Sequence, residues 1–263
     1  MTDVTTNRTR RAGALGGALG ALGVLMAANV LNNRVARRWA PLTSAVATGT
    51  LLLIARGEGI TWRELGFRRA RAGAATGGAL AAGVAAVYAA GVAHPRTRAL
   101  FHDERALALS RRRVLEEALV QVPFGTVLLE EVGFRGALPA LLGRSLPPRT
   151  AVAVSAALFG LWHVLPAMDM ARANPALGRL TAGEAPDEAA GPMKTARLET
   201  GRLVAGTVAS TAVAGLVFHG LRHRAGLLAP ALLHLATNSL GYAAARAARR
   251  LDQPSRGSAR PVR

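Results

Sequence analysis

Apolar positions along the chain come in runs too long for the amphipathic helices of a water-soluble core. Runs of about seventeen or more residues recur from end to end, separated by short polar, arginine-bearing breaks. That pattern predicts an all-α, polytopic transmembrane bundle. Seven spans are expected, at about 12–31, 40–55, 72–93, 114–142, 150–167, 202–220 and 227–247. An eighth is counted if the amphipathic stretch 56–71 lies deeper than the membrane surface. In that stretch Ile60, Trp62, Leu65 and Phe67 alternate with Arg56, Arg63, Arg68 and Arg69, the pattern of an interfacial segment. Residues 1–11 read as a polar tail, 94–113 as a basic loop with solvated His94 and His102, and 168–201 as the longest loop. Residues 248–263 read as a basic, disordered tail. Three regions follow: membrane spans with the interfacial segment over 1–113, a catalytic helix core over 114–247, and the tail.

Composition sharpens this picture. The 263 residues carry 33 basic and 15 acidic side chains, a formal charge of +18. Every basic residue but Lys194 is arginine, and the Ala/Arg bias points to a GC-rich bacterial genome. The arginines flank apolar runs and form no continuous basic stripe. They imply anionic lipid headgroups as partners and not nucleic acid. There is no cysteine, which excludes disulfides and thiol chemistry.

The fourth run holds the sharpest anomaly, Glu130-Glu131-Val132-Gly133-Phe134-Arg135. An ionisable group at bilayer depth costs about 2.5–3.5 kcal/mol on insertion scales, so three of them in one run mark a site. Helical spacing puts Glu131 and Arg135 on one face and turns Glu130 about 100° away. Arg135 is therefore expected to hold Glu131 while Glu130 faces elsewhere. Glu116 and Glu117, at the mouth of the run, read as interfacial charge, and Pro123 as a kink.

Counting rise from the predicted turns tests whether other polar residues meet this pair. Across an antiparallel turn at 144–149, Glu130 and His163 each lie roughly 20 Å in. His234 and Asn238, entering from the same side, lie roughly 12 and 18 Å in and share a face. A lone histidine in an apolar helix is more often a hydrogen-bonded core residue, and a lone asparagine is interhelical glue. Five such groups at one depth point to a functional site. Amide hydrolysis needs a base for water, which a carboxylate supplies, and donors for the oxyanion, which His and Asn supply. Two His and one Glu also match a catalytic zinc set, although there is no His-Glu-x-x-His.

The motifs Glu130-Glu131-x-x-x-Arg135, Phe159-x-x-x-His163 and His234-x-x-x-Asn238, in this order on successive helices, closely resemble those of the CPBP family. These are the CAAX-processing and bacteriocin-processing intramembrane proteases, also called the Abi family. Phe134-Arg135-Gly136, Gly215-Leu216 and Ala225-Gly226-Leu227-Leu228-Ala229-Pro230 fit as flanks, and the resemblance covers about 114–247. It implies endoproteolysis within or near the bilayer, classically just upstream of the C-terminal tripeptide of prenylated proteins. By the resemblance Glu130 activates water, Glu131 with Arg135 positions the site, His163 shares or polarises the water, and His234 and Asn238 stabilise the oxyanion. The family has been described both as glutamate proteases without a cofactor and as metalloproteases. In the second case Glu130, His163 and His234 hold zinc. Two rival classes are a non-enzymatic membrane scaffold or immunity protein, and a proton-coupled transporter. The internal repeats a transporter would show are not evident.

Arginine counts orient the chain. The breaks on the side of the 144–149 turn carry 12 basic residues and those on the other side 20, Arg135 excepted. The richer side is expected to be cytoplasmic, placing the N-terminus outside and the site opening toward the cytoplasm.

Overall fold

The computed structural model describes residues 2–173 and 195–253, with side chains over 15–170 and 200–253. Among these residues every regular element is a helix. The long ones are α1 (Thr2–Val30), α2 (Ala40–Gly57), α3 (Ala70–Ala93), α4 (111–142), α5 (Pro148–Trp162), α6 (Val164–Ala173), α7 (Thr195–Ala225) and α8 (Leu228–Asp252). Four stretches are long and apolar enough to cross a membrane: Leu15–Val35, Ala70–Ala93, Pro148–Met170 and Thr200–Ala225.

Several boundaries differ from the sequence reading. Helix α1 begins at Thr2, so the polar tail is helical as far as it is described. Residues 168–173 and 195–201, read as loop, continue α6 and open α7, while 174–194 lie outside the described residues. The predicted tail is helical through Asp252, and 254–263 lie outside. Two short helices, Pro95–Arg98 and Glu104–Ala108, interrupt the basic loop. His94 is exposed there, but His102 pairs with Asp252 of α8 at 2.8 Å.

The 56–71 stretch is not a helix lying on the surface. It is a set of turns over 58–69. Ile60 and Leu65 point inward and are fully buried, while Trp62 and Phe67 stay exposed, edge to face 5.5 Å apart. Thr61 and Glu64 close the turn reciprocally. The Thr61 backbone N–H donates to Glu64 Oε2 at 2.7 Å, and the Glu64 N–H donates to Thr61 Oγ1 at 3.2 Å. That backbone donor, with help from Arg144, holds the Glu64 carboxyl below its ordinary 4.5.

Two polar ends bracket the bundle. At one, Glu64 meets Arg144 at 3.1 Å, Arg68 donates to the His223 carbonyl at 2.8 Å, and the Leu227 N–H donates to the Gly66 carbonyl at 2.9 Å. Gly226, at φ +84°, makes the α7–α8 turn that permits this. At the other end Arg34 and Arg37 both meet Asp169 at 3.0 Å, and Arg98 meets Asp252 at 2.8 Å.

The core lies among α1, α2, α4 and α5, around Leu25, Leu51, Leu129, Leu138, Leu141 and Phe159. Helix α3 packs along α8, and α5 along α7. At Gly160 the two backbones of α5 and α7 come so close that a Cβ would sit 2.5 Å from the Val208 carbonyl oxygen. Helix α4 is central, with every residue from Leu129 to Pro139 buried.

Candidate active site

Two irregularities in α4 and α5 set the site's geometry. Helix α4 widens into π-helical spacing over Glu117–Val127 and again over Glu131–Ala137. Such spacing recurs at functional sites because it turns side chains away from their α-helical directions. Pro123 lies in the first π stretch and does not simply kink it. Proline has no N–H for the carbonyl five residues back, Ala118. That carbonyl instead accepts from Ser239 Oγ of α8 at 2.7 Å. The second π stretch carries Glu131 and Arg135, and its Phe134 carbonyl accepts from Ser155 Oγ of α5 at 2.7 Å.

Helix α5 ends at His163 because Pro166 cannot donate to the carbonyl of Trp162, four residues back. Asn29 Nδ2 of α1 donates to that carbonyl at 2.8 Å instead. At the same break the His163 N–H turns to the Gly160 carbonyl, at 3.0 Å. The freed Phe159 carbonyl is met by His163 Nδ1 at 2.8 Å. A carbonyl only accepts, so Nδ1 carries the proton and Nε2 of the neutral ring presents a lone pair.

The carboxylates divide as their spacing predicts. Glu131 Oε1 lies 3.5 Å from Arg135 Nη1 and 2.8 Å from His234 Nδ1. His234 Nδ1 is thus a donor, which turns its Nε2 toward Glu130. Glu130 Oε1 accepts from Trp162 Nε1 at 2.8 Å. Its second oxygen, Oε2, is buried without a hydrogen bond among the described residues, 3.7 Å from His234 Nε2 and 3.9 Å from His163 Nε2. Arg135 is 1% exposed, with its guanidinium carbon 3.7 Å from the centre of the Phe159 ring and 4.9 Å from that of Phe218. Cation–π attraction replaces hydration there.

Glu130, Glu131, Arg135, His163 and His234 therefore come together. Asn238 stands apart: it is exposed, and Thr237 Oγ1 reaches its Oδ1 only at 3.5 Å. Glu116 and Glu117 both pair with Arg113 at the mouth of α4, the latter at 2.7 Å. Three side chains of the site do not stand out in the sequence as site residues: Trp162, Phe218 and Asn29. A buried indole N–H needs an acceptor, and Trp162 adjoining His163 was the available signal.

As they stand, the donors lie wider apart than a tetrahedral zinc would hold them. Bonds of 2.0–2.1 Å in a tetrahedron put neighbouring donors roughly 3.3 Å apart. The separations of 3.7 and 3.9 Å exceed that. Among the described residues no three His, Asp or Glu side chains are arranged to hold a metal ion.

A buried carboxylate faced by two oriented imidazoles thus lies in a helical protein, four of whose stretches are long and apolar enough to cross a membrane. Residues 117–240 match the family model of Rce1-like type II CAAX prenyl endopeptidases, which is consistent with a CAAX protease of the CPBP kind. No curated protein and no solved structure matches it.

Proposed function

We propose that the protein is an intramembrane endopeptidase in which Glu130 activates the attacking water, without a metal. The observation that supports this most is the convergence of two histidine Nε2 atoms on the one unbonded oxygen of Glu130. Atoms less than 4 Å apart can share one water at ordinary hydrogen-bond lengths.

In this reading water gives a proton to Glu130 Oε2 as its oxygen bonds to the carbonyl carbon of a membrane-associated protein or peptide. His163 Nε2 accepts the water's second hydrogen and orients it. The carbonyl oxygen takes the electron pair and becomes an oxyanion. His234 in its imidazolium form donates to it, held in place by Glu131, with Asn238 donating from the open side. Glu130 then returns its proton to the leaving nitrogen as the C–N bond breaks. Glu131, Arg135 and Trp162 fix the orientation of the reacting groups and exclude water.

We also propose that all seven rods cross the bilayer: α1, α2, α3, α4, α5 with α6, α7 and α8. Three of them, α2, α4 and α8, are not among the four stretches long and apolar enough to cross by themselves, but the charges deep in α4 are paired inside the protein. The arginine count favours a cytoplasmic opening on the Arg34–Asp169 side.

The decisive experiment is cleavage of a peptide library by purified wild type and Glu130→Gln. The variant keeps size and hydrogen bonding but loses the base. Its expected rate is lower by about 10²–10⁴, with an unchanged melting midpoint in detergent. A wild-type rate for Glu130→Gln removes Glu130 from the chemistry.

A further inference from the structure

At the end of the bundle away from the Glu130 centre lies a cavity of about 450 Å³. It is roughly 10–13 Å further along α4, judged by the nine residues from Glu130 to Pro139. Arg63, Arg68, Arg144 and Arg222 line it, with Glu64 the only carboxylate and His219 on its wall. With the histidines neutral, four arginines against one glutamate leave a formal charge of +3. Its other wall is apolar: Pro139, Ala140, Pro148 and Val152.

The cations are differently engaged. Arg144 is tied to Glu64 at 3.1 Å and Arg68 to the His223 carbonyl at 2.8 Å. Arg222 reaches the Glu64 carbonyl through Nη2, while its buried Nε has no hydrogen-bond partner among the described residues. The Arg63 side chain is exposed and makes no hydrogen bond or ion pair among the described residues. The single carboxylate is thus already taken, and positive charge remains facing the cavity.

Its surroundings point to an amphiphile. The exposed Trp62 and Phe67 beside it are the aromatic pair expected at a membrane–water boundary. Below it the α7 surface is bare and apolar, with Val213, Leu216 and Val217 about half or more exposed. Leu216, His219 and His223 follow one another at helical spacing, so one face of α7 runs from hydrocarbon depth into the cavity. A molecule with an acyl chain on Leu216 would place its head among the arginines.

We propose that this cavity binds a phosphate ester anion, the headgroup phosphate of an anionic membrane lipid. Guanidinium forks match phosphate oxygens in pairs, and each basic side chain beside an anionic lipid surface contributes about fivefold in affinity.

The test uses the full chain in a neutral detergent. Native mass spectrometry follows binding of phosphatidylglycerol and phosphatidylcholine, and a thermal-shift series follows inorganic phosphate. Expected is one saturable phosphatidylglycerol, little phosphatidylcholine, and affinity about fivefold lower in Arg63→Gln and in Arg222→Gln. Arg222→Gln also removes a contact to the 58–69 turn. Arg63→Gln breaks no such contact, so it carries the test if Arg222→Gln does not fold. Stabilisation by inorganic phosphate, lost in Arg63→Gln, with no phosphatidylglycerol binding, upholds phosphate recognition and overturns the lipid as its source. Equal binding of the two lipids, or undiminished phosphatidylglycerol binding by Arg63→Gln, overturns the site.

Discussion

Glu131 and Arg135 show what a buried pair demands of single residues. Their contact is 3.5 Å, and the guanidinium lies between two rings with no hydrogen bond among the described residues. Removing one partner strands the other at a cost of about 3–5 kcal/mol. Arg135→Ala is therefore expected to lower the melting midpoint in detergent together with activity. An unchanged midpoint with lost activity would give Arg135 a direct part in the reaction. Metal dependence is settled at the same scale. Exhaustive chelation, followed by metal analysis, is expected to leave activity intact with no stoichiometric zinc. One zinc whose removal abolishes activity and whose return restores it refutes the metal-free reading. The charged members of the site were legible because each is anomalous in an apolar run. Trp162 was not, since an indole looks like core until its acceptor is known. Asn238, expected on the face of His234, is exposed. Four residues advance a helix by about 400°, so it is turned about 40° from His234.

Among the helices, position was legible and internal geometry was not. Runs of apolar residues show where a rod lies, but π spacing depends on which neighbour satisfies a released carbonyl. For Pro123 that neighbour is Ser239, more than a hundred residues on. The 58–69 turns escaped for a related reason: alternating apolar and basic residues suit a surface helix, whereas Thr61–Glu64 pairing and Gly66 at φ +97° fold them into turns. The break at Pro166 carries a prediction of its own. In Pro166→Ala a donor returns for the Trp162 carbonyl and the helix can run through His163. The His163 N–H would then reclaim the Phe159 carbonyl from Nδ1. Activity is expected to fall at least about tenfold through kcat, without loss of thermal stability. An unchanged kcat would show that the break does not orient His163.

For the whole molecule, the question is which polar end faces the cytoplasm. The chain has no cysteine, so single introduced thiols report cleanly. His94 and Thr150 are exposed at opposite ends. With an impermeant reagent on intact cells, Thr150→Cys is expected to label and His94→Cys to stay shielded until the cells are opened. The reverse pattern overturns the proposed orientation. The order of rods was legible because each polar break alternates sides, but the pairing of one break with another was not. Exposed turns carry no pattern that names a partner.

The 58–69 turn has a further consequence, for the time during which the protein is made. Its ties to His223 and Arg222 join residues 155 and 158 positions apart. At about 5–20 residues per second, a ribosome takes roughly 8–30 s to deliver those partners after the turn itself has emerged. Arg144, 80 residues after Glu64, arrives about halfway through that interval; for all of it Arg68 and the Glu64 carbonyl wait at the membrane without His223 or Arg222. A turn made early in the chain is thus among the last parts to settle, and a chain halted before α7 is complete holds its first helices with that end unfastened.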